Sequence, residues 1–362
     1  MTNDSHNKMQ RQMSPTRIIL PMLIGLAVVA FFIIRDFKPG MFSDVSFNTG
    51  VGTMLLLACV MMFFRDFGYV LRIRYLSDKK LSWKQSINII ILWEFSSAVT
   101  PSAVGGTSVA TYFLWKEGFS AGKSASIVMA TSFLDELYFT LMFPILFLIF
   151  SHTGLFPLDE NGNLNSSFLV FAGVGYGIKL LWTLVMATAL FVKPVAMKNI
   201  LNTLFKLRIL RKWKEAAAHA GEDIVAASHE LRHKTIGFWI RSFLATLFSW
   251  TSRYWVLNFL ILALAFGLPY FDAHTLFSVG EHFLIFARQL VMWIMMLVMP
   301  TPGGSGFVEA VFTSYMADFI PIVGFVSAMA LLWRFVTYYP YLILGAIVAP
   351  RWFAKSRTKI GN

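Results

Sequence analysis

Six apolar runs, near 18–35, 50–71, 121–150, 167–192, 237–267 and 323–349, constrain this chain more than any other feature. Each is close to or above the ~20 residues that cross a hydrocarbon core. A backbone at that depth finds no water to bond, so it must satisfy its own N–H and C=O groups, which a helix does. Hydrophobic residues make up 57% of the 362 and charged residues 14%, outside the balance of a soluble domain. The bilayer is this chain's main solvent.

Two further apolar stretches, 85–117 and 274–316, are broken in the middle by Thr100-Pro101-Ser102-Ala103-Val104-Gly105-Gly106-Thr107 and by Pro300-Thr301-Pro302-Gly303-Gly304-Ser305-Gly306. Each reads as a re-entrant hairpin or as two short helices, with irregular backbone tolerated only where protein or a wet cavity surrounds it. An ionisable residue follows each break at nearly the same offset: Asp135 lies 30 residues beyond Gly105, and Arg334 lies 31 beyond Gly303. This is the pattern of an internal repeat. Paired Gly/Pro interruptions in corresponding halves point to a transport site near the bilayer midplane.

The formal net charge of +12 does not indicate a nucleic-acid partner, because the basic residues fall in gaps between apolar runs rather than on a soluble face. It indicates topology, since short cytoplasmic loops are enriched in Lys and Arg. If both broken segments return to the side they entered from, one side collects Lys8, Arg11 and Arg17, the cations Arg72 to Lys84, Lys116 and Lys123, the stretch Lys193 to Lys234, and Arg351 to Lys359. The other side keeps Lys38, with Arg35 at the boundary and the acidic pair Asp159 and Glu160. Both termini are then cytoplasmic, the two broken hairpins enter from opposite faces, and the polar N-terminus leads into an uncleaved first span.

The fold expected is therefore an all-α polytopic membrane protein with about six full spans and two opposed re-entrant hairpins, eight hydrophobic segments in one membrane domain over 1–362. Residues 50–150 form repeat unit one and 237–349 repeat unit two, in inverted orientation; 193–236 is a basic amphipathic connector on the inner membrane surface. Cys59, the single cysteine, sits in an apolar run and reads as a buried, inert thiol that excludes intrachain disulfides and cysteine-based metal clusters.

A charge at mid-bilayer costs at least about 2.5–3.5 kcal/mol on insertion scales, so each needs a partner, a wet cavity or a route to the interface. Asp135 and Glu136 lie mid-run, and consecutive helical residues point about 100° apart, so the two face different surroundings. One is a candidate for pairing with an arginine, or for handling substrate or a proton. Arg334 either clasps Asp135 across a pseudo-twofold axis or stays in a cavity to meet a phosphate, for which its planar fork is matched. Arg253 is a deep cavity candidate. Arg65 is close enough to the inner end to snorkel, and Lys179 stands alone in a peripheral helix where it can do the same.

Glu94 precedes the first break, while Glu281, His282, Arg288 and Gln289 precede the second and put polar groups where the backbone opens. His282 has no second His or Cys at ligand spacing and reads as an interfacial residue. Gly105, Gly106, Thr107, Gly303, Gly304 and Ser305 open helices whose free N–H groups attract an anion; Glu309 either stabilises the second helix start or belongs to the site.

These residues resemble a known family. Pro101-Ser102-Ala103-Val104-Gly105-Gly106-Thr107, the downstream Asp135 and Pro302-Gly303-Gly304-Ser305-Gly306-Phe307-Val308-Glu309 are similar to the transmembrane region of bacterial lysylphosphatidylglycerol synthases, a flippase-like family, over roughly 18–350. The resemblance implies movement of lipid between leaflets of the bacterial inner membrane, with anionic or aminoacylated headgroups as partners and a possible coupling proton. In the full-length synthases a separate soluble domain makes the aminoacyl lipid. This sequence ends at Asn362 shortly after the last span, so lysyl transfer is not expected and the chain reads as a transporter rather than an enzyme. Two other readings stay open: an ion-coupled carrier of a soluble solute, and a membrane subunit of envelope lipid or polysaccharide assembly. Gly105-Gly106-Thr107 lacks the Lys-Ser/Thr of a phosphate-binding loop, so no nucleotide or other cofactor is expected.

Overall fold

The computed structural model describes residues 34, 43, 45–99, 103–150, 152–157, 166–268, 278–296, 307–320 and 323–358. Their regular structure is helical. α1 (Thr49–Leu76) starts where the Asn48 side chain accepts a hydrogen bond from the Val51 N–H, and α2 (Trp83–Val99) and α3 (Ala103–Lys116) flank the first break. α4 (Ala121–Ile149) is capped by Ser120, whose side chain accepts from Lys123 N, and α5 (His152–Leu155) follows it. α6 (Ser166–Ala187) ends in a π-helical turn, Thr188–Val192.

The connector contains α7 (Pro194–Leu204), a short 3₁₀ turn and α8 (Lys214–Leu231). α9 (Ile236–Gly267) is capped by Thr235; α10 (Val279–Met296) and α11 (Phe307–Met316) flank the second break. α12 (Val323–Thr337) and α13 (Tyr339–Thr358) complete the chain.

Five stretches among the described residues are long and apolar enough to cross a membrane: α1, α4, Ser166–Val192, α9 and Ala328–Trp352. The chain is thus an all-helical multi-pass membrane protein. The sequence-expected span 18–35 lies outside the described residues apart from Ile34. The expected span 323–349 is divided at Tyr338, because Pro340 lacks an N–H and is accommodated in the first turn of a new helix rather than within α12.

The first broken segment is two helices whose outer ends meet: Gln85 Nε2, near the start of α2, donates to Glu117 just beyond α3 at 2.7 Å. Trp352 Nε1 of α13 donates to the same carboxylate at 2.8 Å. At about 1.5 Å per residue neither helix reaches the ~30 Å of a hydrocarbon core.

Two ends of the bundle are defined by polar contacts. At one, Lys123 at the start of α4 and Lys234 before α9 both bond Asp78, which follows α1. At the other, Ser46 and Asn48 bond the carbonyls of Gly267 and Phe266 at the end of α9.

α1 and α9 form the most extensive helix pair, and they approach closely because Gly68 leaves no side chain between them. A Cβ there would lie 2.8 Å from Ser249 Cβ and 3.0 Å from Ala245 O. A second notch is Gly345 of α13, where a Cβ would run into the Phe95 ring of α2. Two buried apolar clusters result, one around α9 and α10 and one around α2, α3 and the first half of α4.

Large apolar side chains left exposed on α4 and α6, such as Leu148, Val170 and Leu181, form the surface expected against acyl chains. Cys59 is among the exposed residues, on this lipid-side surface of α1, and not buried as its apolar run suggests. Lipid is as apolar as a core, so hydropathy does not separate the two. α7 buries none of its residues and presents Val195, Ile200 and Leu204 outward, whereas α8 docks on the bundle through Ala227 and Leu231.

Candidate functional site

α1 carries Arg65, Tyr69 and Arg72 at i, i+4 and i+7, hence on one face of the helix. The Arg65 side chain is 1% exposed; its Nη1 donates to Asp66 Oδ1 and to Tyr341 Oη, both at 2.8 Å, and its Nη2 lies 2.7 Å from Glu94 Oε2. Tyr341 in turn donates to Asp66 at 2.7 Å. The Tyr69 ring has the Arg65 guanidinium at 4.4 Å and that of Arg72 at 4.5 Å from its centre, two cation–π contacts to one ring.

Arg72 grips Asp135 of α4 with both terminal nitrogens, at 2.5 and 3.2 Å, and Nη1 also reaches Thr246 Oγ1 at 3.2 Å. Trp250 Nε1 donates to Asp135 Oδ1 at 2.7 Å. The Arg253 guanidinium, one turn further along α9, lies 5.5 Å from the Trp250 ring centre and 5.1 Å from that of Trp293 on α10. Its buried Nε has no hydrogen-bond partner among the described residues.

One continuous polar network therefore runs through α1, α2, α4, α9, α10 and α13. Within it the arginines Arg65 and Arg72 are dry, while the carboxylates of Glu94, Asp135 and Asp66 are 25%, 24% and 37% exposed. Carboxylates at this depth are too costly to turn toward acyl chains, so the open side of the network faces a space that admits water or polar groups.

Several sequence expectations change. Arg65 does not snorkel; it is held inside by two carboxylates and a tyrosine. Arg72, counted above as a loop cation because the apolar run stops at Leu71, is buried, since α1 continues to Leu76. Among the described residues it is Arg72, not Arg334, that clasps Asp135. Lys179 is not alone: it bonds Glu136 at 2.7 Å, joined by the Thr140–Thr183 hydroxyl contact at 2.9 Å. Asp135 and Glu136 thus point to different neighbours, one to α1 and α9, the other to α6.

Arg334 is buried at the end of α12, with its guanidinium 5.5 Å from the Tyr338 ring centre. Tyr338 Oη donates to Ala98 O at 3.0 Å, which brings that turn against α2 just before the first break. Gly105, Gly106 and Thr107 lie in the opening turns of α3, and Glu309 is the third residue of α11. Gly303, Gly304 and Ser305 lie outside the described residues.

Arg288 is occupied by structural partners: Gly154 O at 2.7 Å, Tyr315 O at 2.9 Å and Asp318 at 2.6 Å. It ties α10 to α11 and to the turn after α4. His282 Nδ1 meets Asn258 Oδ1 at 2.9 Å. Among the described residues no cluster of three or more His, Cys, Asp or Glu is placed to hold a metal ion.

The residues missed by sequence reasoning are Tyr69, Arg72, Trp250 and Tyr341. The helical spacing of Arg65, Tyr69 and Arg72 is a signal that could have found the first two. Trp250 and Tyr341 carry no such signal, because their polar tips come into register only through packing.

No solved structure matches the chain. A UPF0104 membrane protein of Archaeoglobus fulgidus is 27% identical over 290 residues, covering 77% of this chain and 80% of that protein. The sequence pattern of the lysylphosphatidylglycerol synthase TM region matches residues 18–345. That match takes in the described elements from α1 through α12 and every residue of the network, Tyr341 included; the chain belongs to the lysylphosphatidylglycerol synthase TM region family.

Proposed function

We propose that this protein is a flippase-like transporter that carries a phosphate-bearing lipid headgroup between the leaflets of a bacterial inner membrane, with both termini cytoplasmic. The observation that carries the reading is Arg253: a guanidinium beside two adjoining tryptophan rings, Trp250 and Trp293, on membrane-spanning α9, its Nε unbonded among the described residues. A planar fork of this kind binds phosphate with charge-assisted hydrogen bonds. The partly exposed carboxylate of Asp135, which accepts from the indole of the same Trp250, meets a cationic headgroup group or a coupling proton.

In this mechanism residues 50–150 and 237–349 are inverted repeats that rock about one midplane site. The Arg65–Glu94 and Arg72–Asp135 pairs join helices of the first unit, and the Trp250–Asp135 and Tyr341–Asp66 bonds join the two units. The cross-unit contacts are the ones that exchange during rocking. Acyl chains stay in lipid, so only the headgroup needs the polar path.

The test is headgroup accessibility in sealed liposomes holding the purified protein, with labelled anionic, zwitterionic and aminoacylated lipids and an impermeant quencher. Protein-dependent transfer is expected, lost in Arg253→Ala and partly kept in Arg253→Lys, which retains charge but not the fork. Transfer at the original rate in Arg253→Ala would remove the arginine from the mechanism.

The exposure of three network carboxylates also suits an ion-coupled carrier of a soluble solute. Absence of transfer for every lipid, with proton-driven uptake of a water-soluble anion, would favour that function.

A further inference from the structure

A second site lies away from the network, at the end of the bundle where Asp78 meets Lys123 and Lys234. There a cleft of about 310 Å³ is lined by Tyr75, Asp78, Lys79, Thr235, Phe238 and Arg241, with Gly237 among them. Its shape comes from two features of the chain. Asp78 and Lys79 follow α1 with φ of +53° and +61°, a left-handed pair without glycine. That conformation is disfavoured for residues with a side chain and is tolerated where the surrounding structure over-determines it. Here it is fixed by Lys79 N bonding Arg74 O at 2.7 Å and by the two lysines on Asp78. Gly237 also lines the cleft, and a Cβ there would meet nothing within 4 Å.

The charge in the cleft is unbalanced. The single carboxylate, Asp78, is already engaged by Lys123 at 2.8 Å and Lys234 at 2.7 Å. Lys79 and Arg241 are exposed and have no ion pair among the described residues. Two unneutralised cations thus line one cavity that Tyr75 and Phe238 also line, beside Thr235 and Gly237. The site lies at the end of three apolar helices, where headgroups reside, and Arg241 is close enough to the start of α9 for its stem to lie along apolar surface.

We propose that this cleft binds a phosphate group, held between Lys79 and Arg241 with an apolar substituent against Tyr75 and Phe238. It is separate from the Arg253 site, and its existence does not depend on the transport reading. A lipid headgroup and a soluble phosphate share this chemistry, and the experiment separates them.

Binding of dioctanoyl phosphatidylglycerol to the purified full-length protein is measured in detergent, in an Arg253→Ala background that removes the central arginine, with dioctanoylglycerol and inorganic phosphate as comparison ligands. Expected is binding of the phospholipid but not of dioctanoylglycerol, weakened about tenfold or more in K79A/R241A and largely restored in K79R/R241K. Competition by inorganic phosphate at similar concentration assigns a soluble ligand; failure of phosphate to compete assigns the lipid. Equal affinity in K79A/R241A, or equal binding of dioctanoylglycerol, overturns the site. Both side chains are exposed, so the double variant is expected to unfold at the original temperature, and this is checked on the same sample.

Discussion

Removing the Arg72 side chain leaves Asp135 with the Trp250 indole as its remaining charge-stabilising donor among the described residues, in a place where water reaches only part of the carboxylate. Breaking one partner of a buried pair costs more than the pair itself contributes, because the orphaned charge stays desolvated. Arg72→Met is therefore expected to destabilise the protein by about 2 kcal/mol, discounted for the exposure of Asp135. The double variant Arg72→Met with Asp135→Leu should recover most of that. Thermal unfolding in detergent reads both; a double variant no better than the single one would show that the pair is not coupled. Both residues are plain in the sequence, but their partnership is not. Asp135 was recognisable because a carboxylate mid-run is expensive, whereas Arg72 was hidden by standing one residue past an apolar run. Hydropathy marks where side chains stop being apolar, not where the helix ends.

At the scale of elements, glycine sets which helices can touch. Gly345 and Phe95 are so close that any side chain must displace the ring or the helix. Gly345→Ala is expected to lower stability by about 1–3 kcal/mol, the usual cost of overpacking, with partial rescue by Phe95→Ala, again read by thermal unfolding. A lack of effect would mean that α2 and α13 can part freely. The Asp78 junction, which fastens the ends of α1, α4 and α9, gives a pH prediction. Burial alone would raise the Asp78 carboxyl, but hydrogen bonds and charge from Lys123 and Lys234 outweigh it and hold it below the ordinary 3.8. A depressed carboxylate stabilises above its unfolded value and loses that contribution as pH falls through the folded one. Asp78→Asn should thus lower the unfolding temperature at neutral pH, and the gap from the original protein should close below about pH 4. A gap that persisted in acid would assign the loss to packing instead. The helices on either side of each break were foreseeable from Pro and Gly, as was α7 from its spacing; the division at Tyr338 was not weighed against the apolarity around Pro340.

For the whole molecule, the two ends of the bundle acquire definite membership from Asp78, Gln85, Glu117, Lys123, Lys234 and Trp352 at one and from Ser46, Asn48, Phe266 and Gly267 at the other. With Cys59 replaced by Ser, single cysteines at Lys80 and Ile209 are expected to react with an impermeant maleimide only after cells are opened, and one at Phe47 in intact cells. Labelling of all three from one side would overturn the proposed orientation. Composition and the lengths of the apolar runs determined by themselves that this is an all-helical multi-pass membrane protein, because hydrocarbon leaves the backbone few other solutions. The two Pro/Gly clusters also marked where α2 gives way to α3 and where α10 and α11 are separate helices. Only the tertiary structure decided which charges meet: Arg72 with Asp135, Arg65 with Glu94, Lys179 with Glu136. Those choices depend on helix rotation and on approach distances set by single glycines, and a linear pattern of polar and apolar residues does not contain either quantity.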